Sequence, residues 1–191
     1  MITIIKNILL IFLLNILLLS KSYSIETKAT SAYVMDATSN KVLYEKNSNL
    51  RYGPASMSKL MIIYMTFERL QNGSLKLDDE LLVSRKAWKF GGSKMFVNIG
   101  DKVSVNDLLK GIIIQSGNDA CIVLAEGLSG SEENMVDAIN EKTKELGLLN
   151  SNFANVTGWP AKDHYMTARD IAHLSKLIIE AFPEYYYYFS L

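Results

Sequence analysis

The chain has 191 residues, 49% of them apolar, and its 20 basic side chains match its 20 acidic ones. That length suits one domain with a buried core, and the balanced charge leaves no basic field for nucleic acid. One cysteine forms no internal disulfide, and two histidines with it do not make a zinc site, so no metal or cofactor is expected.

Residues 1–24 do not read as part of the fold. Lys6 is followed by an almost wholly apolar run from Ile8 to Leu19, and Ser22 and Ser24 place small residues at −3 and −1 of a cleavage point. This is a secretory signal pattern. The rival is an uncleaved anchor, but the run is shorter than the ~20 residues of a spanning helix. The mature chain, 25–191, is expected to work in the periplasm or cell envelope, with membrane association only through an uncleaved N-terminus. Removing two lysines and no acid leaves it at −2.

Ser31–Asp36 and Lys41–Glu45 are short β-like runs, and Ala37-Thr38-Ser39-Asn40 between them predicts a hairpin turn. Pro54 punctuates the chain before a helix that runs to about Leu70 and stops at Asn72-Gly73. Leu60 to Phe67 is apolar on nearly every side, which belongs in a core. Leu81-Leu82-Val83 reads as a short strand. Ser104 is placed to cap a helix ending near Ile114, and Gln115-Ser116-Gly117-Asn118 interrupts it. A second apolar helix, about Asp119 to Leu128, contains Cys121 as a small buried hydrophobe. Ser131-Glu132-Glu133 opens a third helix, with Met135, Ile139 and Leu146 as its stripe and Gly147 as its C-cap. Thr167 caps a last helix reaching about Ala181, Asp170 suits a capping-box variant, and Pro183 ends it. Tyr185–Phe189 is a compositional oddity. The expected class is α+β, a helical domain carrying one hairpin.

The chemistry concentrates at Pro54-Ala55-Ser56-Met57-Ser58-Lys59. Residues three apart share a helix face, so Ser56 and Lys59 can meet. Serine needs a base within hydrogen-bond reach, and lysine serves only when neutral, which requires its pKa to fall by about 3 units. A dry site near a helix N-terminus pushes that way and offers backbone N–H groups to an oxyanion. A second hydroxyl, Ser116, could pass the proton to a leaving amine, and the Asn118 amide could orient a substrate. His164 and His173 sit in a polar loop and on the last helix without a nucleophile elbow. They read as surface or satisfied histidines.

Pro-Ala-Ser-Met-Ser-Lys followed by Ser-Gly-Asn, with first serines 60 residues apart, resembles the penicillin-binding D-alanyl-D-alanine carboxypeptidases. Ser93-Lys94-Met95-Phe96, Gly100-Asp101, Gly111 to Cys121, Lys144 to Leu148 and Thr167 to Asp170 extend the likeness over roughly residues 29–182. The resemblance implies a β-lactamase/D,D-peptidase-like fold with Ser56 as acyl-forming nucleophile, Lys59 as base, Ser116 as second catalytic hydroxyl and Asn118 at the substrate. It also implies a peptidoglycan stem peptide as substrate, losing its terminal D-alanine, and β-lactams as covalent inhibitors. The family's Lys-Thr-Gly motif is missing, since Lys142-Thr143-Lys144 lies in a helix and Val156-Thr157-Gly158 lacks the lysine. On that ground 25–191 is expected to be an incomplete domain without the later strands of the sheet, leaving the hairpin unpartnered. An inactive fragment is the alternative. A β-lactamase on the same fold trails, for lack of a glutamate-bearing loop after Ser116.

Overall fold

The computed structural model describes Lys6 and residues 26–191. The signal pattern of residues 1–24 lies otherwise outside the described residues. Strands β1 (Ala32–Met35) and β2 (Val42–Lys46) form the expected antiparallel hairpin, with Ala32 opposite Lys46 and Val34 opposite Tyr44. Its turn is built by Asp36, whose carboxylate accepts from the Thr38 and Ser39 amides, and by Asn40 in the left-handed region at φ 59°.

A 3-10 turn, Ala55–Ser58, leads into helix α1 (Lys59–Gln71), where Met61 through Phe67 are all buried. Ser56 therefore belongs to the turn and Lys59 to the first residue of the helix. Short strand β3 (Glu80–Leu82) pairs antiparallel with β4 (Lys102–Ser104), and α2 (Arg85–Lys89) lies between them. The sequence does not announce α2 or β4, because five and three residues show no usable periodicity. Tertiary hydrogen bonds set them: Val83 donates to Asp101 and Gly100 to Val83.

Helix α3 (Val105–Gln115) starts where Ser104 Oγ accepts from the Asp107 amide. Helix α4 (Asn118–Ser129) follows after the Ser116-Gly117 break, with Ala120 through Ala125 buried, and ends on left-handed Gly130. It contacts α1, α2, α3, β3 and α5 (Glu132–Glu145), so it forms the centre of the domain. Cys121 sits in this core, and burial pushes its thiol up to about 12, as fits a small hydrophobe.

Helix α6 (Ala168–Ala181) is capped by Thr167 Oγ1, which accepts from the Asp170 amide. The reciprocal half of a capping box is not made. The Asp170 carboxylate instead accepts from the Asn150 amide and the Ser151 hydroxyl, tying α6 to the preceding loop. β1 lies on α6 through Tyr33, which stacks on His173 and under the Arg169 guanidinium. The tyrosine-rich tail caps the core: Tyr188 is buried, donates to Asn106 Oδ1, and joins Tyr185 against Phe67. No helix among the described residues is long and apolar enough to cross a membrane.

Candidate active site

Ser56 is exposed on its turn, while Lys59 one helical step behind it is only 3% exposed. Lys59 Nζ lies 3.1 Å from Ser56 Oγ and 2.8 Å from the Thr157 carbonyl oxygen. Burial pushes the Lys59 pKa below its usual value, outweighing an opposing effect of Cys121. Both neighbours of the amine are neutral, so no carboxylate restores its charge there. A weak nucleophile thus sits within reach of an amine moved toward its basic form.

Ser116 is the C-cap of α3 in the left-handed conformation, φ 56° and ψ 35°. Its Oγ is buried and has no hydrogen-bond partner among the described residues. A non-glycine residue in that conformation with an orphaned hydroxyl costs on the order of 1–3 kcal/mol in strain alone. Ser56, Lys59 and Ser116 line one cavity of about 300 Å³, whose walls are Leu60, Ile63, Ile112 and Ile113 with Phe189 from the tail. Apolar walls around three polar groups keep the amine dry and leave few competing donors. A larger cavity of about 480 Å³, lined by Ala55, Gly158 and His164 among others, contains none of these three residues.

Asn118 does not line the cavity with them. Its side chain is buried and donates from Nδ2 to the Gly91 carbonyl, bracing the loop over residues 90–97. A Cβ on Gly92 would come within 2.7 Å of that amide, so the loop approaches as closely as glycine allows.

Three residues that sequence reading gave no role hold the frame. Asp119, buried at the start of α4, accepts from the amides of Met95, Phe96 and Val97 and from its own neighbour Ala120. Asn155 Oδ1 accepts from the Thr157, Gly158 and Trp159 amides, folding the loop whose Thr157 carbonyl meets Lys59. Gly158, at φ 83°, lets that loop touch the Ser56 turn, since a Cβ there would lie 1.9 Å from the Ala55 carbonyl oxygen. The Asn-x-Thr-Gly string is a visible turn signal, but its partner, 98 residues earlier, is not. Of the histidines, His164 is buried and satisfied rather than at the surface, and His173 is half-buried against Tyr33. Neither stands beside Ser56.

A family model described as D-alanyl-D-alanine carboxypeptidase matches residues 19–190. D-alanyl-D-alanine carboxypeptidase DacF of Bacillus subtilis is 44% identical over 153 residues, 80% of this chain and 39% of that protein. DacC of Escherichia coli is 44% identical over 159 residues, 80% of this chain and 40% of the relative. The chain thus spans about 40% of the length of these curated relatives. Among solved structures, the carboxypeptidase DacD of Francisella tularensis superposes with a TM-score of 0.85 at 39% identity, covering 86% of this chain and 40% of that one. Penicillin-binding protein 5 of Haemophilus influenzae also gives 0.85, at 34% identity over 88% of this chain and 50% of its own. The motifs, the helical fold and these likenesses agree: the chain belongs to the D-alanyl-D-alanine carboxypeptidase family and has the fold of the penicillin-binding D,D-peptidases.

Proposed function

We propose that this chain carries the nucleophile half of a serine-type D-alanyl-D-alanine carboxypeptidase of the cell wall. Residues 25–191 form the helical part of a D,D-peptidase domain, exported to the periplasm or cell envelope by the leader of residues 1–24. The observation that supports this most is the 3.1 Å approach of a buried Lys59 amine, its pKa lowered by burial, to an exposed Ser56 hydroxyl. In this reading Lys59 takes the Ser56 proton as Oγ bonds to the carbonyl carbon of the penultimate D-alanine. The amide C–N bond then breaks, and the proton passes through Ser116 to the departing D-alanine amine. Water hydrolyses the acyl-enzyme to complete the cycle. Asn118, whose amide braces the loop at Gly91, helps orient the stem peptide. A β-lactam acylates Ser56 by the same step with its ring nitrogen as leaving group. Penicillin-binding protein D2 of Listeria monocytogenes, 26% identical with a TM-score of 0.74, has been solved with ampicillin bound.

Fluorescent penicillin tests the reading. Stable label on the folded chain, mapped to Ser56 by mass spectrometry and absent from Ser56→Ala, is the expected result. Rapid release of the drug would point to a β-lactamase instead. No label in a folded sample would overturn the enzyme and leave a non-catalytic fragment.

A further inference from the structure

Two segments far apart in sequence build the Ser56–Lys59 pair. One is the turn Ala55–Ser58, and the other is the loop over residues 152–165, whose Thr157 carbonyl holds Lys59 Nζ. A side-chain pair joins the far end of that loop to the turn: Ser58 Oγ lies 2.6 Å from His164 Nε2, with both residues buried. The Ala154 amide donates to His164 Nδ1 at 3.1 Å. An N–H pointing at Nδ1 leaves no room for a proton there, so the neutral ring carries its proton on Nε2 and donates it to Ser58. The edge of Phe153 packs on the same ring. His164 thus spans Ser58 on the nucleophile's turn and Ala154 on the loop, and it touches neither Ser56 nor Lys59.

We propose that His164 is a positioning residue for the Ser56–Lys59 pair, clamping the Thr157 loop to the nucleophile's turn only while its imidazole is neutral. The inference rests on the acyl-enzyme reading above. A proton on Nδ1 would set two N–H groups against each other, break the Ala154 contact and place a cation in a dry site. Charged and titratable groups line the same cavity or flank the ring in the chain. Arg51, Tyr52, Lys162 and Tyr165 line its cavity, Asp163 precedes it in the chain, and Lys59 follows Ser58 on the turn. Burial lowers the His164 pKa, so the cost falls on the imidazolium. Acidification therefore frees the loop, withdraws the Thr157 carbonyl from Lys59 and slows acylation without touching a reacting atom.

The test follows penicillin labelling rates against pH for the wild type, His164→Ala, His164→Gln, Ser58→Ala and the Ser58→Ala/His164→Ala double variant. A displaced nucleophile pair costs up to about 100-fold in rate, and each alanine variant should lose roughly 10- to 100-fold at pH 8. The double variant should lose no more than the worse single one, because both remove one clamp. Glutamine can donate to Ser58 and accept from Ala154 without titrating. His164→Gln should therefore recover most of the rate and lose an acid limb that the wild type shows below the usual imidazole range. Wild-type rates in His164→Ala, or survival in His164→Gln of the limb below the usual imidazole range, as distinct from the Lys59-dependent rise that both proteins keep, would overturn the clamp. Imidazole ¹⁵N spectra read the tautomer without turnover, and a proton on Nδ1 at neutral pH would also overturn it. If the wild type takes no label at any pH, the acyl-enzyme reading fails by itself. The clamp is then judged by amide exchange: Ala154 and Trp159 should exchange faster in His164→Ala while α4 amides hold, and unchanged exchange would sink it.

Discussion

At Lys59 a cationic side chain is only 3% exposed, and the two oxygens it meets are both uncharged. Its pKa is lower folded than unfolded, so between the two values the unfolded chain binds more protons. Stability from this group is therefore fully present above the ordinary lysine value and is lost as pH falls through the lowered one. Lys59→Met removes that burden while filling the same volume. It is expected to leave the melting temperature unchanged or raised, and to cut penicillin labelling by about 1,000-fold or more. A lysine serving only to hold the turn would give the reverse, a large drop in melting temperature. Labelling of the wild type should rise with pH through the lowered Lys59 value, as the amine becomes free to take the Ser56 proton. Gly158 decides the other side of the pair. Gly158→Ala places a Cβ on the Ala55 carbonyl at positive φ, and a loss of about 2 kcal/mol or more in urea unfolding is expected.

At the scale of elements, the α3–α4 break matters more than either helix. Asp119 opens α4 and gathers the amides of Met95, Phe96 and Val97, so one carboxylate anchors the loop on which Asn118 also leans. Asp119→Ala leaves those donors, part-buried at Met95 and Phe96 and buried at Val97, without their acceptor. It should cost about 3 kcal/mol, with hydrogen exchange accelerated at residues 95–97 before the rest of the domain. The caps make a milder contrast. Ser131 Oγ accepts from the Asn134 amide at the start of α5, away from the cavity. Ser131→Ala should lower stability by about 1 kcal/mol, or 2–4 °C in a thermal melt, with the labelling rate unaltered.

For the whole molecule, the hairpin is the exposed flank. Among the described residues its sheet has two strands, one face resting on α6, while Val34, Val42 and Leu43 remain exposed, Leu43 at 56%. An open edge beside exposed apolar side chains favours self-association. Leu43→Lys should shift light scattering at high concentration toward the monomer while moving the melting temperature little. The amphipathic and all-apolar runs, the caps Ser104 and Thr167, and the glycine stops were legible without coordinates, because each acts through the chain within four residues of itself. So was the meeting of Ser56 with Lys59, which one helical turn determines. Other features were decided only by the fold: the Thr157 carbonyl on Lys59, Ser58 on His164, Asp119 under the 95–97 loop, and Ser116 in the Ser56 cavity. Those groups lie between about 20 and 110 residues apart, and their partners are chosen by which backbones the packed core brings within hydrogen-bond reach. The Ser-x-x-Lys spacing was enough to pair a serine hydroxyl with a lysine amine. Only tertiary packing could make the site dry, since burial of the lysine belongs to the whole core and not to its own helix.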